Sequence, residues 1–278
     1  MQDVRSSVII SIFSTTPGNG KTITAINLSV GLAMEGYKVC LADLDLQFGN
    51  VANYLQLSPY KTLSEAQKVF KANPERFNIE NFLIEYRNED FSFSILPAPR
   101  FVSDAYQIDV LAVDDIIGKH LNNFDFVILD LNSAFSALNI AMLDLSTMIN
   151  YVGAIDFLPA LKNFKVGYDT LLRFEYEKQK IRLVENRADS QKLIKSEEVE
   201  RLLGERFFHR LPNDYPSVSK SINSGQPLVI AAPESKLTKS FAELTARYTS
   251  DWDTKEVPEE EQPVKKNLFS RTLNALFG

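Results

Sequence analysis

Ser14-Thr15-Thr16-Pro17-Gly18-Asn19-Gly20-Lys21-Thr22 stands between an apolar run, Val8 to Phe13, and a stretch with helical spacing that begins at Lys21. A loop of exposed backbone N–H groups between a strand and a helix N-terminus forms a cradle for an anion. Gly18 and Gly20 let the backbone come close to phosphate oxygens, Lys21 would neutralise the β and γ oxygens, and the Thr22 hydroxyl would ligate Mg²⁺. Asn19 lies between the two glycines as part of the same cradle. Thr15 occupies the place where the standard phosphate-loop pattern has its first glycine. Taken alone, then, the stretch also fits an incidental glycine turn before a helix.

Working outward, two further segments favour the phosphate reading. The run Lys38 to Asp43 is followed directly by Leu44 and Asp45, which puts two carboxylates at the carboxyl end of a strand, where open α/β sheets bind their ligands. Phe124 to Asp130 is an apolar run that ends in Asp, the form of a Walker B strand whose carboxylate holds Mg²⁺. Other strand-like runs are Phe91 to Leu96, Met148 to Ile155, Ile181 to Glu185 and Phe207 to Leu211. Most lack polar alternation, so each is expected to be covered on both faces by helices. The expected fold is α/β: a doubly wound, mostly parallel sheet flanked by helices. Ile23, Ile26, Val30, Ala33 and Met34 mark the first helix, and Gly36 ends it. Thr62 to Asn88 is polar and weakly periodic and reads as short helices and loops.

The 278 residues are 45% apolar and carry 36 acidic against 30 basic side chains, a net charge of -6. This length suffices for a substantial core. The acidic excess argues against a protein whose whole surface grips nucleic acid. A single cysteine, Cys40, excludes an internal disulfide and fits a reducing compartment. No run reaches the roughly 18 apolar residues of a membrane span, so the body is expected to be cytoplasmic. Asp251 to Gln262 holds six acids and one Lys, a tether composition. In Lys265 to Gly278, Leu268, Phe269, Leu273, Leu276 and Phe277 share one helical face beside Lys265, Lys266 and Arg271. A basic amphipathic segment of this kind suits a membrane surface or a protein partner; docking back on the body is the alternative. The expected division is an ATPase body over 1–250, an acidic linker over 251–264 and a basic amphipathic helix over 265–278.

These motifs resemble the deviant Walker A ATPases, the MinD/ParA group, whose loop reads Lys-Gly-Gly-x-Gly-Lys-Thr; the matching positions here are Thr16 to Thr22. The resemblance spans about residues 7 to 248. It is narrower still to the CpaE/TadZ branch, which serves pilus assembly and polar localisation. That branch is matched by Asp43-Leu44-Asp45-Leu46-Gln47-Phe48-Gly49-Asn50-Val51 with Tyr54-Leu55, and by Leu96-Pro97-Ala98-Pro99 ahead of Asp125 to Asp130. Glu185-Asn186-Arg187, Leu211-Pro212-Asn213-Asp214 and Asn223 to Leu228 match later segments. The resemblance implies ATP and Mg²⁺ as cofactors and a homodimer as the working form. It implies that Lys21 contacts phosphates, Thr22 and Asp130 serve the metal with Asp43 near it, Asp45 positions the attacking water, and Asn186 and the Pro212 backbone recognise adenine. Members such as MinD end in a basic amphipathic membrane-targeting helix, which 265–278 resembles.

Departures accompany these matches. The signature Lys of the group is Thr16 here, Asn132 follows the Walker B carboxylate where the group has Pro, and Ala134 stands near a Gly position. Thr cannot supply the charge, so hydrolysis is expected to be slow or absent unless another cation substitutes. The first strand begins near residue 7, so the receiver-like domain that often precedes the ATPase in the CpaE branch is expected to be missing. Two other readings stand beside a dimeric positioning protein that reaches a pole, a pilus protein or the inner face of the membrane. One is a ParA-like DNA-segregation ATPase using Arg173, Lys178, Lys180, Arg182 and Arg187; the other is a scaffold that no longer binds nucleotide.

Overall fold

The computed structural model describes residues 7–189 and 194–250. The acidic linker and basic tail expected over 251–278 lie outside the described residues. Eight strands form one sheet: β1 (Val8–Phe13), β2 (Val39–Leu44), β3 (Ile84–Arg87), β4 (Ser92–Leu96), β5 (Phe126–Leu131), β6 (Met148–Ala154), β7 (Ile181–Asn186) and β8 (His209–Arg210). Their spatial order is β3-β4-β2-β5-β1-β6-β7-β8. The β3–β4 pair is antiparallel, while β2, β5, β1, β6, β7 and β8 run parallel to their neighbours.

The helices that matter for the site and core are α1 (Lys21–Met34), α2 (Leu63–Ala72), α3 (Val110–His120), α4 (Ala137–Leu145), α5 (Leu158–Arg173), α6 (Ser196–Leu203), α7 (Tyr215–Ser224) and α8 (Lys236–Thr249). Because strand side chains alternate between faces, each apolar run feeds two cores. Val8, Ile10 and Ile12 of β1 with Phe126 and Ile128 of β5 pack on the α1 side with Leu28, Leu32, Phe241 and Leu244. Ile9 and Phe13 with Val127, Leu129 and Leu131 pack on the other side with Ile116, Met142 and Leu171. Helices therefore cover both faces, as the unbroken apolar runs imply.

The strand bounds agree with the sequence reading to within one or two residues for β1, β2, β4, β5, β6 and β7. In β8 only His209–Arg210 pair residue to residue, although Phe208 N donates to Leu183 O and Leu211 N to Glu185 O at 2.8 Å, so the 207–211 run lies along β7. The 62–88 stretch is more regular than its composition implies. Thr62 and Glu65 form a capping box that starts the ten-residue α2, and the stretch ends in β3, which adds an antiparallel edge. Helix α1 terminates at Gly36, whose φ of 90° lets Tyr37 N reach back to Leu32 O at 3.2 Å. Among the described residues no helix is long and apolar enough to cross a membrane.

Candidate functional site

The stretch from Ser14 to Gly20 leaves β1 at its carboxyl end and turns directly into α1. Gly18 and Gly20 both adopt left-handed backbone, φ 77° and 86°. At Gly20 a Cβ would collide with the Asn186 amide, so both the conformation and the space require glycine. The buried Ser14 hydroxyl ties the loop together: it accepts from Asn19 Nδ2 at 2.9 Å and from Thr16 N at 3.2 Å. The N-terminus of α1 has no side-chain cap and no acid in its first turn. Its backbone donors are thus available to an anion, and the helix dipole favours one there. Lys21 begins the helix, and its Nζ donates to Ser133 Oγ at 2.7 Å.

Beside this cradle the parallel register sets Asp43 directly opposite Asp130 on adjacent strands. Thr22 Oγ1 donates to Asp130 Oδ2 at 2.7 Å, while Asp130 Oδ1 is buried without a hydrogen-bond partner. Asp43 accepts from Val51 N at 3.0 Å and Asp45 N at 3.3 Å. Burial raises the Asp43 carboxyl well above the usual range, and the Asp130 charge adds to the effect. Burial likewise raises Asp130, against the Thr22 hydrogen bond and the Lys21 charge. Burial lowers Lys21, opposed by Asp130 and Asp45. Two buried carboxylates on facing strand positions, with Asp130 carrying an orphaned Oδ1 and the Thr22 hydroxyl on its Oδ2, form a donor set that fits a hard divalent cation such as Mg²⁺. That ion takes one or two carboxylates and completes its shell with water and phosphate oxygens. Asp45 is half-buried just beyond the strand end, on the same edge.

Asn186 and Pro212 reach this edge too. Asn186 Nδ2 donates to Asn19 O at 2.9 Å, which ties the end of β7 to the loop. Pro212 lies beside it because Leu211 N donates to Glu185 O at 2.8 Å and Ala188 N to Leu211 O at 2.9 Å. The sequence-derived set Gly18, Asn19, Gly20, Lys21, Thr22, Asp43, Asp45, Asp130, Asn186 and Pro212 therefore gathers at one end of the sheet.

Four further residues support this constellation and were assigned no role in it from the sequence. Ser133 holds Lys21. Buried Asn139 puts its Nδ2 within hydrogen-bond distance of Asn132 O (3.1 Å), Asn132 Oδ1 (2.9 Å) and Ala134 O (2.6 Å), fixing the loop that carries Ser133. Gly49 lies so close to the Asp43 carboxylate that a Cβ would stand 2.6 Å from Oδ2. Arg187 Nη2 donates to Gly18 O at 3.1 Å. Gly49 and Arg187 had a sequence signal only as members of the matched segments Asp43 to Val51 and Glu185 to Arg187, with no role assigned to either.

A family model described as "AAA domain" matches residues 7–152. The septum site-determining protein MinD of Helicobacter pylori (strain ATCC 700392 / 26695) is 24% identical over 98% of this chain and 100% of its own length. Among solved structures, the ParA family ATPase from Chlorobium tepidum TLS has a TM-score of 0.76 at 22% identity, covering 86% of this chain and 99% of its own. The septum site-determining protein MinD from Pyrococcus horikoshii OT3, solved in complex with Mg-ADP, has a TM-score of 0.72 at 22% identity, covering 90% and 100%. The chain belongs to the AAA domain family, and its fold is that of the MinD/ParA group of P-loop ATPases.

Proposed function

We propose that this chain binds ATP with Mg²⁺ at the 14–22 loop, dimerises, and works as a MinD-like positioning protein of the CpaE/TadZ kind, serving pilus assembly or polar localisation. One observation carries the reading: an uncapped helix N-terminus with Lys21 lies beside a Thr22–Asp130 pair whose second carboxylate oxygen is orphaned. In this account the amides of Gly18 to Lys21 and the Lys21 ammonium hold the phosphates. Thr22 and Asp130 would hold the metal with Asp43 near it, and Asn186 and the Pro212 backbone would recognise adenine. The metal supplies charge neutralisation on the phosphate oxygens.

Hydrolysis needs a water in line with the γ-phosphorus and positive charge to meet what develops on the transferred group. Asp45 is assigned to the water. Thr16, half-buried in the loop, has no charge to give, and a cation at such a site is worth about 10³ to 10⁵ in rate in related ATPases. We therefore assign slow or absent turnover. Dimerisation is supported by exposed Phe48, Phe101, Tyr106, Phe157 and Tyr215, which follow the carboxyl ends of β2, β4, β6 and β8 around the site. The body is assigned to 1–250, the spacer to 251–264, and a membrane- or partner-binding segment to 265–278.

A DNA-segregation role finds less support. Lys178 faces Glu205 at 3.7 Å, Lys180 and Arg182 lie over the rings of Tyr176 and Phe208, and Arg187 pairs with Asp156 at 3.4 Å. A steady-state ATPase assay on the wild type, Asp45→Ala and Thr16→Lys tests the proposal. The expected result is slow turnover that Thr16→Lys raises at least tenfold. Wild-type turnover comparable to that of MinD, abolished in Asp45→Ala, overturns the slow-hydrolysis assignment.

A further inference from the structure

Arg187 follows the last residue of β7 and takes φ 55°, left-handed backbone that a long side chain rarely adopts. Such a conformation persists only where its surroundings impose it, and it is concentrated at functional positions. The surroundings here are the phosphate loop. Arg187 N donates to Asn186 Oδ1 at 2.9 Å, which orients that amide so that its Nδ2 reaches Asn19 O. The Arg187 guanidinium folds back, with Nη2 on Gly18 O at 3.1 Å and Nη1 toward Asp156 Oδ2 at 3.4 Å.

Two neighbouring side chains thus take two consecutive carbonyls of the loop. In a planar trans peptide, C=O and the following N–H point in opposite directions. Holding Gly18 O and Asn19 O on the β7 side therefore turns the N–H groups of Asn19 and Gly20 the other way, into the cradle. The alternation of left-handed Gly18 and Gly20 about Asn19 is the backbone pattern of an anion-binding nest. Arginine adds something that a neutral donor would not. Its charge is permanent, its side chain is 45% exposed at the mouth of the loop, and the same loop carries Thr16 in place of a cation.

We propose that Arg187 is a positioning residue of the nucleotide site: it fixes the Gly18 carbonyl so that the loop amides face the phosphates, and its permanent charge favours an anion at the mouth of the loop without filling the hydrolytic role that Thr16 leaves open. This rests on the reading that the loop binds a nucleoside di- or triphosphate. Asp156 is the counter-ion that keeps the guanidinium folded over the loop.

Equilibrium titration of the full chain with fluorescent ATP and ADP in the presence of Mg²⁺, run beside thermal unfolding without nucleotide, tests it. Glycine accepts φ 55° without strain, so Arg187→Gly separates a structural role from a site role. The expected result is an affinity loss of roughly tenfold to a hundredfold for both nucleotides, the scale of a charge-assisted hydrogen bond, with an unchanged or raised Tm. Arg187→Lys recovers part of the affinity at low salt, because it restores charge without the planar fork. Wild-type affinity in Arg187→Gly overturns the inference and leaves the ATP reading standing. A parallel fall in affinity and Tm, with Arg187→Lys no better than Arg187→Gly, also overturns it and assigns Arg187 to the scaffold. Failure of the wild type to bind either nucleotide overturns the ATP reading, and this inference falls with it.

Discussion

Gly20 and Gly18 share a sign of φ but not a neighbourhood, and the difference is measurable. A Cβ on Gly18 meets nothing within 4 Å, whereas one on Gly20 runs into Asn186. Gly18→Ala therefore carries only the left-handed cost, about 1 kcal/mol. Gly20→Ala adds a clash that pushes Asn186 off Asn19 O. Thermal unfolding is expected to rank them with Gly20→Ala lower by several degrees, since about 1 kcal/mol corresponds to roughly 2–4 °C for a chain of this size. Equal Tm values contradict this account of the loop. Asp130→Asn makes a second residue-scale test: it keeps an acceptor for Thr22 while removing the buried charge, so nucleotide binding is expected to lose its dependence on Mg²⁺. At this scale the sequence was readable where chemistry depends on residue type and order. Asp43 and Asp130 could be picked out because each closes an apolar run, and Lys21 and Thr22 because they follow the glycines between such a run and a helix. Ser133 and Asn139 could not, because a serine or an asparagine gives no sign of the direction in which the backbone aims it, and Arg187 stood in a matched segment with nothing to show that it turns back on the loop.

At the scale of elements, α2 shows how a local signal can be present and underweighted. Thr62 Oγ1 accepts from Ser64 N at 3.2 Å, and Glu65 Oε2 accepts from Thr62 N at 2.8 Å. That pattern, Thr-x-x-Glu, is legible in the sequence and starts a helix that the polar composition disguised. Thr62→Ala is expected to cost about 1 kcal/mol, read as a fall of a few degrees in Tm. Strand β3 was not legible: four residues, alternately half-buried and exposed, pair with β4 only because the tertiary fold brings them there. The β8–α8 contact makes a pH test possible. His209 is buried, with Nε2 at 2.8 Å from Ser240 Oγ. Burial, reinforced by Arg247, lowers its pKa below 6.5, and Ser240 and Glu243 only partly oppose this. The unfolded chain then binds the proton more tightly than the folded one, so stability is held above about pH 6.5 and lost as the pH falls through it. Denaturant midpoints from pH 7.5 to 5.5 are expected to decline in the wild type and to decline less in His209→Gln. Parallel declines contradict the assignment.

For the whole molecule, the parallel βαβ order and the two-sided core followed from the apolar runs, whereas the strand order did not. Nothing local in β5 says that it inserts between β2 and β1, yet that insertion is what sets Asp130 opposite Asp43 and beside the loop. Charge is distributed as unevenly as the structure. Much of the -6 belongs to Asp251 to Gln262, and the residues beyond it are basic, so the body itself is only mildly acidic. If 265–278 engages an anionic surface through its apolar face, Phe269→Glu with Leu273→Glu lowers co-sedimentation with phosphatidylserine-containing vesicles severalfold, and nucleotide affinity stays as it was. Unchanged co-sedimentation assigns the tail elsewhere. The central claim, that the β1–α1 loop with the Asp130 strand is a working nucleotide site, is tested most directly by calorimetric titration of ATP into the full chain with Mg²⁺ present and with it chelated. We predict saturable binding at one site per chain, weakened by chelation and lost in Lys21→Ala. The absence of binding by the wild type, or equal binding by Lys21→Ala, would contradict it.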